Sequence, residues 1–237
     1  MFPRIRIKEF KPINVDGGYL VDGFPSVGFT EAIATESLIH TTQFELAGII
    51  DSDGFPPVSL IKDGKPNYPT RLFVNESLKV VVFSSYLTIA EPMHRIVART
   101  MLSWARKHNI SLIVSGVATN SQVDGEQILA AASTDDAKNK IIEAGFSVIT
   151  HGTIPGIPGI LLNEGMMNDQ NVAVILFNSD VTGPDFKASA QLCLSMSKLI
   201  PGISCDITML QKEAEKAEKN IREAEEEAKD FKSSIYG

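Results

Sequence analysis

Long apolar runs and clusters of basic residues are both missing from this chain of 237 residues. No run approaches the roughly 20 apolar residues that a helix needs to span a bilayer, and residues 1–6 lack the apolar core of a signal peptide. The net charge of −7 comes without any stretch of clustered Lys and Arg. That balance argues against nucleic acid or an anionic membrane as a main partner. The sequence therefore predicts a cytoplasmic protein.

The signatures of common enzyme chemistry are missing as well. The chain has no GxGxxG motif, no P-loop and no GxSxG elbow. Its four histidines (His40, His94, His108 and His151) show neither HxH nor HxxxH spacing, and no cysteine accompanies them, so a zinc site is not expected. These absences predict a protein that is not an enzyme and that uses no metal or cofactor.

Four acidic residues nevertheless fall at predicted strand ends or in loops, where an α/β enzyme keeps its acids. They are Glu91, Asp124, Glu126 and Glu164. Carboxylates in such places more often cap helices or accept hydrogen bonds from loop amides. We therefore assign none of them a catalytic role.

Cysteine is scarce, with Cys193 and Cys205 as its two occurrences. Both lie in apolar stretches, and a cysteine in such surroundings usually behaves as a small buried hydrophobic residue. We expect two buried, reduced thiols and no disulfide.

Strand and helix patterns alternate along residues 1–203. The predicted strands are 19–21, 44–50, 58–61, 78–83, 111–116, 147–149 and 172–177, the predicted helices are 27–40, 91–108, 135–144 and 185–199, and residues 127–132 fit either state. Such alternation predicts an α/β domain with a largely parallel sheet and helices on both faces. The Asp63-Gly64-Lys65 turn predicts a hairpin, so that some antiparallel strands are mixed in.

Three loops are candidates for lining a site. Residues 23–28 (GFPSVG) follow a strand and open a helix, which suits an anion-binding loop or, more simply, a tight turn in which Gly28 permits close packing. Residues 152–160 (GTIPGIPGI) form a stiff apolar loop that lines a pocket, covers a subunit interface or packs on its own core. Asn120-Ser121-Gln122 is a polar loop after a strand.

The composition changes completely after the Pro201-Gly202 boundary. Charged and amide residues fill residues 211–230 apart from alanine and isoleucine. Apolar or small positions recur along the segment at Ile207, Leu210, Ala214, Ala217, Ile221, Ala224, Ala228, Phe231 and Ile235. Steps of three and four repeat without a break, which is a heptad seam. The sequence therefore predicts two units, an α/β core domain over 1–203 and a charged helical or coiled-coil tail over 204–237.

The last three residues, Ile235, Tyr236 and Gly237, are candidate partner-binding residues. A terminal carboxylate can pair with a lysine and with backbone N–H groups of a partner. Tyrosine offers a large apolar ring with a polar hydroxyl, and isoleucine fills a small apolar pocket. Several such tails on one oligomer gain from effective concentration, which predicts a ring-like or multi-subunit target.

This terminus resembles the hydrophobic-tyrosine-any (HbYX) motif with which proteasome activators dock into α-ring pockets of the proteasome core particle. The body resembles the PAC-two-type proteasome assembly chaperone family, in particular its archaeal members. The similar segments are the Gly-Phe-Pro turn at residues 23–28, the glycine-rich loop that leads into Leu-Leu at residues 152–165, and a closing helix that starts at Pro184-Asp185. The similarity covers residues 15–205.

The resemblance implies a three-layer α/β/α fold of phosphorylase/hydrolase-like type, no cofactor, and homo-oligomers, for which a tetramer is expected and a trimer or pentamer are the alternatives. It implies a non-catalytic, ATP-independent proteasome assembly chaperone or activator. The competing hypotheses are an enzyme that acts on a nucleoside-like small molecule, with residues 23–28 and 120–122 lining its site, and a scaffold whose coiled coil only holds subunits together.

Overall fold

Four neighbouring strands rich in valine, isoleucine and leucine form the parallel centre of the molecule. In the computed structural model, which describes residues 3–25, 29–119, 128–179, 184–206, 208 and 210, these strands are β2 (Tyr19–Gly23), β7 (Val80–Ser85), β8 (Leu112–Thr119) and β11 (Val172–Asn178). They lie in the order β7-β2-β8-β11, and β11 pairs with β8 in parallel from Val172 opposite Ile113 to Asn178 opposite Thr119. Nearly every side chain of β7 and β11 is buried, as expected for strands covered on both faces.

Antiparallel strands extend this centre into a nine-stranded sheet of order β1-β3-β6-β7-β2-β8-β11-β9-β10. The remaining strands in chain order are β1 (Ile5–Glu9), β3 (Glu45–Ser52), β4 (Leu60–Lys62), β5 (Lys65–Asn67), β6 (Thr70–Asn75), β9 (Leu129–Ala132) and β10 (Ser147–Val148). The sheet is mixed, as predicted, and β4 and β5 form the predicted hairpin as a separate two-stranded sheet.

Helices cover both faces of the sheet and make a three-layer arrangement. The helices are α1 (Thr30–Thr41), α2 (Glu91–Lys107), α3 (Asp135–Glu143), α4 (Gly156–Met167) and α5 (Phe186–Leu199). Helix α1 packs against α5 on one face and α2 packs against α4 on the other, while α3 packs beside β9 and β10. The predicted α/β fold is confirmed. Within the described residues, no helix combines the length and apolarity needed to cross a bilayer.

A buried ion pair joins the helical layer to the sheet. Glu36 on α1 accepts a hydrogen bond from Arg71 on β6 at 3.0 Å and another from the Ser84 hydroxyl at 3.1 Å. The Arg71 guanidinium also lies 4.7 Å from the centre of the Tyr86 ring, and burial raises the pKa of that tyrosine. These contacts offset part of the cost of burying the two charges, and the buried Arg71 Nε has no hydrogen-bond partner.

The expectation of reduced thiols is wrong, because Cys193 and Cys205 form a disulfide. Cys193 is fully buried on α5, and Gly202 adopts a φ of 83°, which lets the chain reverse after the helix. The reversal brings the two Cα atoms to 5.8 Å, a normal separation for a disulfide. Sequence alone did not show this approach, because it depends on the turn after α5.

Other local predictions need correction. Strands β1 and β6 were not predicted, and the apolar loop of residues 152–160 is helical from Gly156 onward. Proline is compatible with a first helical turn because its missing N–H has no intrahelical partner there, so Pro158 fits at the third residue of α4. The ambiguous residues near 130 form β9. The division at residue 203 stays a prediction, since residues 211–237 lie outside the described residues.

Candidate functional site

A cleft of about 1100 Å³ lies at the carboxyl ends of the parallel strands. Three helices begin around it: α1 after β2, α2 after β7, and α4 after the glycine-rich segment. Helices α1 and α2 leave the neighbouring strands β2 and β7 toward opposite faces of the sheet. A crevice between loops that diverge in this way is where open α/β sheets usually bind ligands.

Apolar side chains make most of the cleft wall. One side comes from Phe24 and Pro25 and from Phe29. The facing side is supplied by the segment from Ile154 to Ile160, whose three isoleucines and two prolines all line the cleft. Two predicted candidate segments, residues 23–28 and 152–160, are therefore brought together, although Ser26 to Gly28 lie outside the described residues.

The backbone around the cleft adopts conformations that most residues avoid. Phe29 precedes α1 with a φ of 51°, which is left-handed and costly for an aromatic residue. Gly156 opens α4 with a φ of 70°. A Cβ at Gly159 would lie 2.0 Å from the Ile154 carbonyl oxygen, so only glycine fits that position. A positive φ is not confined to the cleft, since it also occurs at Gln43, Asp63, Lys79, Asn109 and Asp169.

Polar groups are few in the cleft. Glu31, in the first turn of α1, lines it and is 1% exposed. Glu91 lines it from the first turn of α2 and is exposed. Acidic residues in the first turn are favourable for both helices. Two of the four acidic residues predicted from the sequence, Asp124 and Glu126, lie outside the described residues. Of the other two, Glu91 lines the cleft and Glu164 does not.

Glu164 serves an ion-pair network instead. It belongs to α4, not to a strand end or loop, and its Oε1 lies 2.8 Å from Arg99 Nη2 and 3.3 Å from Arg95 Nη1. The hydrogen bond from Arg99 is the main reason that the pKa of Glu164 is lowered. Arg95 lines the cleft while it makes this contact.

His94 is a cleft residue that was not predicted from the sequence. Its Nε2 donates to the Ile89 carbonyl oxygen at 2.8 Å, which fixes the ring orientation. A Cβ placed at Gly156 would lie 3.9 Å from Nδ1, so this nitrogen faces the start of α4. The feature of the sequence that could have indicated His94 is its position just after Glu91-Pro92, in the first turn of the predicted helix. His108 likewise bonds a backbone oxygen, that of Trp104, at 3.0 Å.

Helix α4 presents an open N-terminus to the cleft. Its N-cap residue is Pro155, no side chain caps it, and its first turn carries no acidic residue. The first amide N–H groups of a helix have no partner within the helix, and together with the helix dipole they favour a negatively charged group.

Asp22 lies directly below the cleft at the end of β2. Its Oδ1 accepts a hydrogen bond from the Phe24 amide at 3.1 Å, and its Oδ2 accepts one from the Ser115 hydroxyl at 2.8 Å. Burial raises the pKa of Asp22 to about 6, and the two hydrogen bonds oppose that shift. Its carboxyl is held by protein donors and fixes the turn that leads into Phe24.

Several predicted site residues cannot be placed. Ile235, Tyr236 and Gly237 lie outside the described residues, as does the loop Asn120-Ser121-Gln122. Among the described residues, no group of three or more His, Cys, Asp or Glu is arranged to hold a metal ion.

Comparison with known proteins places this arrangement in a family. The model of the PAC2 family matches residues 20–225. An uncharacterized protein of Methanocaldococcus jannaschii is 23% identical over 233 residues, which cover 96% of this chain and 93% of that protein.

Solved structures show the same fold over nearly the whole chain. Pyrococcus furiosus PbaA, described as an archaeal homolog of proteasome-assembly chaperone, matches with a TM-score of 0.77 at 23% identity, covering 96% of this chain and 100% of that one. Pyrococcus furiosus PbaB, described as an archaeal proteasome activator, matches with a TM-score of 0.73 at 20% identity, covering 94% and 99%.

Proposed function

Because the chain belongs to the PAC2 family, we propose that it is a non-catalytic, ATP-independent proteasome assembly chaperone or activator of the cytoplasm. The fold shared with PbaA and PbaB along almost their full lengths supports a proteasome partner. The family alone does not choose between assembly and activation, since the two relatives are described differently.

The observation that carries the docking step is the sequence Ile235-Tyr236-Gly237. It fits the hydrophobic-tyrosine-any pattern. We propose that these residues enter pockets of the proteasome α-ring, where the carboxylate meets a lysine and backbone amides. The charged segment over 204–237 would then act as the tail that carries them away from the core domain.

A homo-oligomer strengthens this docking without further contacts. One short tail binds weakly, whereas several tails on a tetramer, or on a trimer or pentamer, raise the effective concentration at a ring of pockets. The avidity gained by linking sites reaches about a hundredfold or more when the geometry allows simultaneous engagement. We therefore expect binding to the core particle to depend on assembly as well as on the tail.

The non-catalytic assignment is supported by the use of polar groups near the cleft. His94 is bonded to a backbone oxygen, Glu164 is paired with two arginines, and the Asp22 carboxyl accepts two hydrogen bonds. These groups are engaged in holding helices and turns, which is a structural use.

Extending the chain by one residue after Gly237 tests the docking step. The added residue displaces the carboxylate but leaves every native residue in place, so the fold should be unchanged. We expect the native chain to stimulate peptide hydrolysis by the core particle. Neither the extended chain nor the Tyr236→Ala variant should stimulate it. Stimulation of hydrolysis by the extended chain equal to that by the native chain would refute docking through the terminus. If the native chain also leaves hydrolysis unchanged while it binds, an assembly role is supported over activation.

A further inference from the structure

We propose that the cleft binds the chain's own terminal segment, Ile235-Tyr236-Gly237, from the same subunit or from a neighbouring one, and so competes with the proteasome for that segment. This inference rests on the proposed function, because it concerns how the docking residues are withheld. The inference is based on two features that lie together: an apolar cleft of about 1100 Å³, and the N-terminus of α4, which has no side-chain cap and opens into this cleft.

The walls of the cleft suit the two side chains of this segment. Phe24 and Phe29 lie on one side and Ile154 to Ile160 on the other, so that an aromatic ring and an isoleucine both find apolar surface. Burying large side chains of this kind favours binding, and the costs of association oppose it. The tyrosine hydroxyl finds hydrogen-bonding groups in His94 and Glu91, which line the same cleft.

Charge complementarity places the carboxylate at α4. The first turns of α1 and α2 already carry the acidic residues Glu31 and Glu91, which disfavour a second negative charge there. The first turn of α4 carries none and has no side-chain cap. Gly156 and Ile157 supply the two amides of this turn, because Pro158 has no N–H. A terminal carboxylate on these two amides is the same kind of capture that many proteins use for chain ends.

The length of chain after the described residues is sufficient to reach the cleft. Ser204 lies near the end of α1, where its carbonyl oxygen accepts from the Thr42 hydroxyl at 3.5 Å, and this is the edge of the sheet opposite the cleft. The 12 residues of α1 separate the two edges by about 18 Å. Residues 211–237 number 27. A chain of that length can span up to about 90 Å when extended and about 40 Å when helical.

The test uses a fluorescent peptide of residues 231–237 (FKSSIYG) and measures its anisotropy with increasing protein. We expect the free acid to bind, and a peptide with an amidated terminus to bind about tenfold more weakly because the carboxylate is lost. The chain that lacks residues 235–237 should bind the peptide about tenfold more tightly than the full chain, whose own segment competes.

Matched variants locate the binding surface. Ile154→Asp puts a charge on the wall of the cleft and should weaken peptide binding by about tenfold or more. Ile142→Asp makes the same change on α3, at a side chain 51% exposed that does not line the cleft, and should leave binding unchanged. Peptides changed at Tyr236 to alanine leave the protein untouched and should also bind more weakly.

Equal binding of the acid and the amide, equal effects of the two variants, or no binding would each overturn the inference. None of these measurements involves the proteasome, so they are independent of the proposed function. If the peptide binds the cleft but the full chain and Ile154→Asp both fail to bind the core particle, the proposed function is wrong and the cleft assignment stands. If both hold, Ile154→Asp should bind the core particle more tightly than the native chain.

Discussion

The two edges of the parallel sheet are finished in different ways. At the amino edge, the segment after α5 (residues 200–206, the exit segment) is fastened by the Cys193–Cys205 disulfide, by the contact of Ser204 with Thr42, and by Gly202 packing on Leu78. At the carboxyl edge, the cleft is open, and a side chain beneath it lowers the free energy of unfolding. The Asp22 carboxyl is fully buried there.

This difference separates features that hold the fold from features that a fold does not need. A disulfide and packed turns stabilise the native state, whereas a buried acid reduces its stability. Proteins keep such costs mainly where a site requires them. Changes at the exit segment should therefore lower stability, and removal of the buried acid beneath the cleft should raise it.

The largest expected effect is at the exit segment. Replacing Cys193 and Cys205 together by serine and alanine removes the disulfide, which closes a loop with a sequence separation of 12. A cross-link of that span is worth about 3 kcal/mol in the chain-entropy description. We expect the free energy of unfolding, measured in urea, to fall by about this amount. A double variant as stable as the native protein under oxidising conditions would contradict a stabilising role for the disulfide.

Asp22→Asn should have the opposite sign at neutral pH. The pKa of Asp22 in the folded protein is about 6, above its ordinary value of 3.8, so the folded state holds the proton more tightly than the unfolded chain. Stability from this group is fully present below about pH 4 and is lost as the pH rises through 6. We expect Asp22→Asn to raise the free energy of unfolding at pH 8 by about 1–2 kcal/mol.

The pH profile of that variant provides its control. The native protein should lose stability between pH 4 and 6 more steeply than Asp22→Asn does, while the two curves run parallel above pH 7. A variant that is less stable at pH 8, with an unchanged profile, would show that the charged carboxyl is the form that the fold requires.

Gly156→Ala should have the smallest effect. Gly156 has a φ of 70°, and the nearest atoms to an added Cβ would lie at ordinary contact distances of 3.7 and 3.9 Å. The cost is therefore conformational and amounts to about 1 kcal/mol. Thermal unfolding should show a small decrease in midpoint. A larger loss would mean that the start of α4 has less space than its neighbours indicate.

The sequence predicted the interior of the sheet better than its margins. Runs such as Val172 to Phe177 are apolar and carry no charge, which strongly favours a buried strand. Strands β2, β7, β8 and β11 were all predicted. Strand β1 was missed because its alternating Arg, Lys and Ile suit an edge strand as well as a polar tail. Strand β6 was missed because it contains Arg71, whose burial depends on Glu36 from a distant helix.

The candidate site was predictable in its chain segments and not in its geometry. The composition of residues 23–28 and 152–160 marked both as unusual, and both contribute to the cleft. Nothing local shows that they meet, since the meeting follows from the strand order. The same applies to His94 and to the disulfide, which depend on where α2 and the exit segment lie. The tail residues 235–237 stay a prediction from sequence.

The most direct test of the central claim is a pull-down with proteasome core particles that compares the full chain with a chain lacking Ile235, Tyr236 and Gly237. Both proteins keep the entire described fold, so a difference reports on the terminus alone. The account predicts that the full chain is retained by the core particle and that the shortened chain is lost. Equal retention of the two would contradict it.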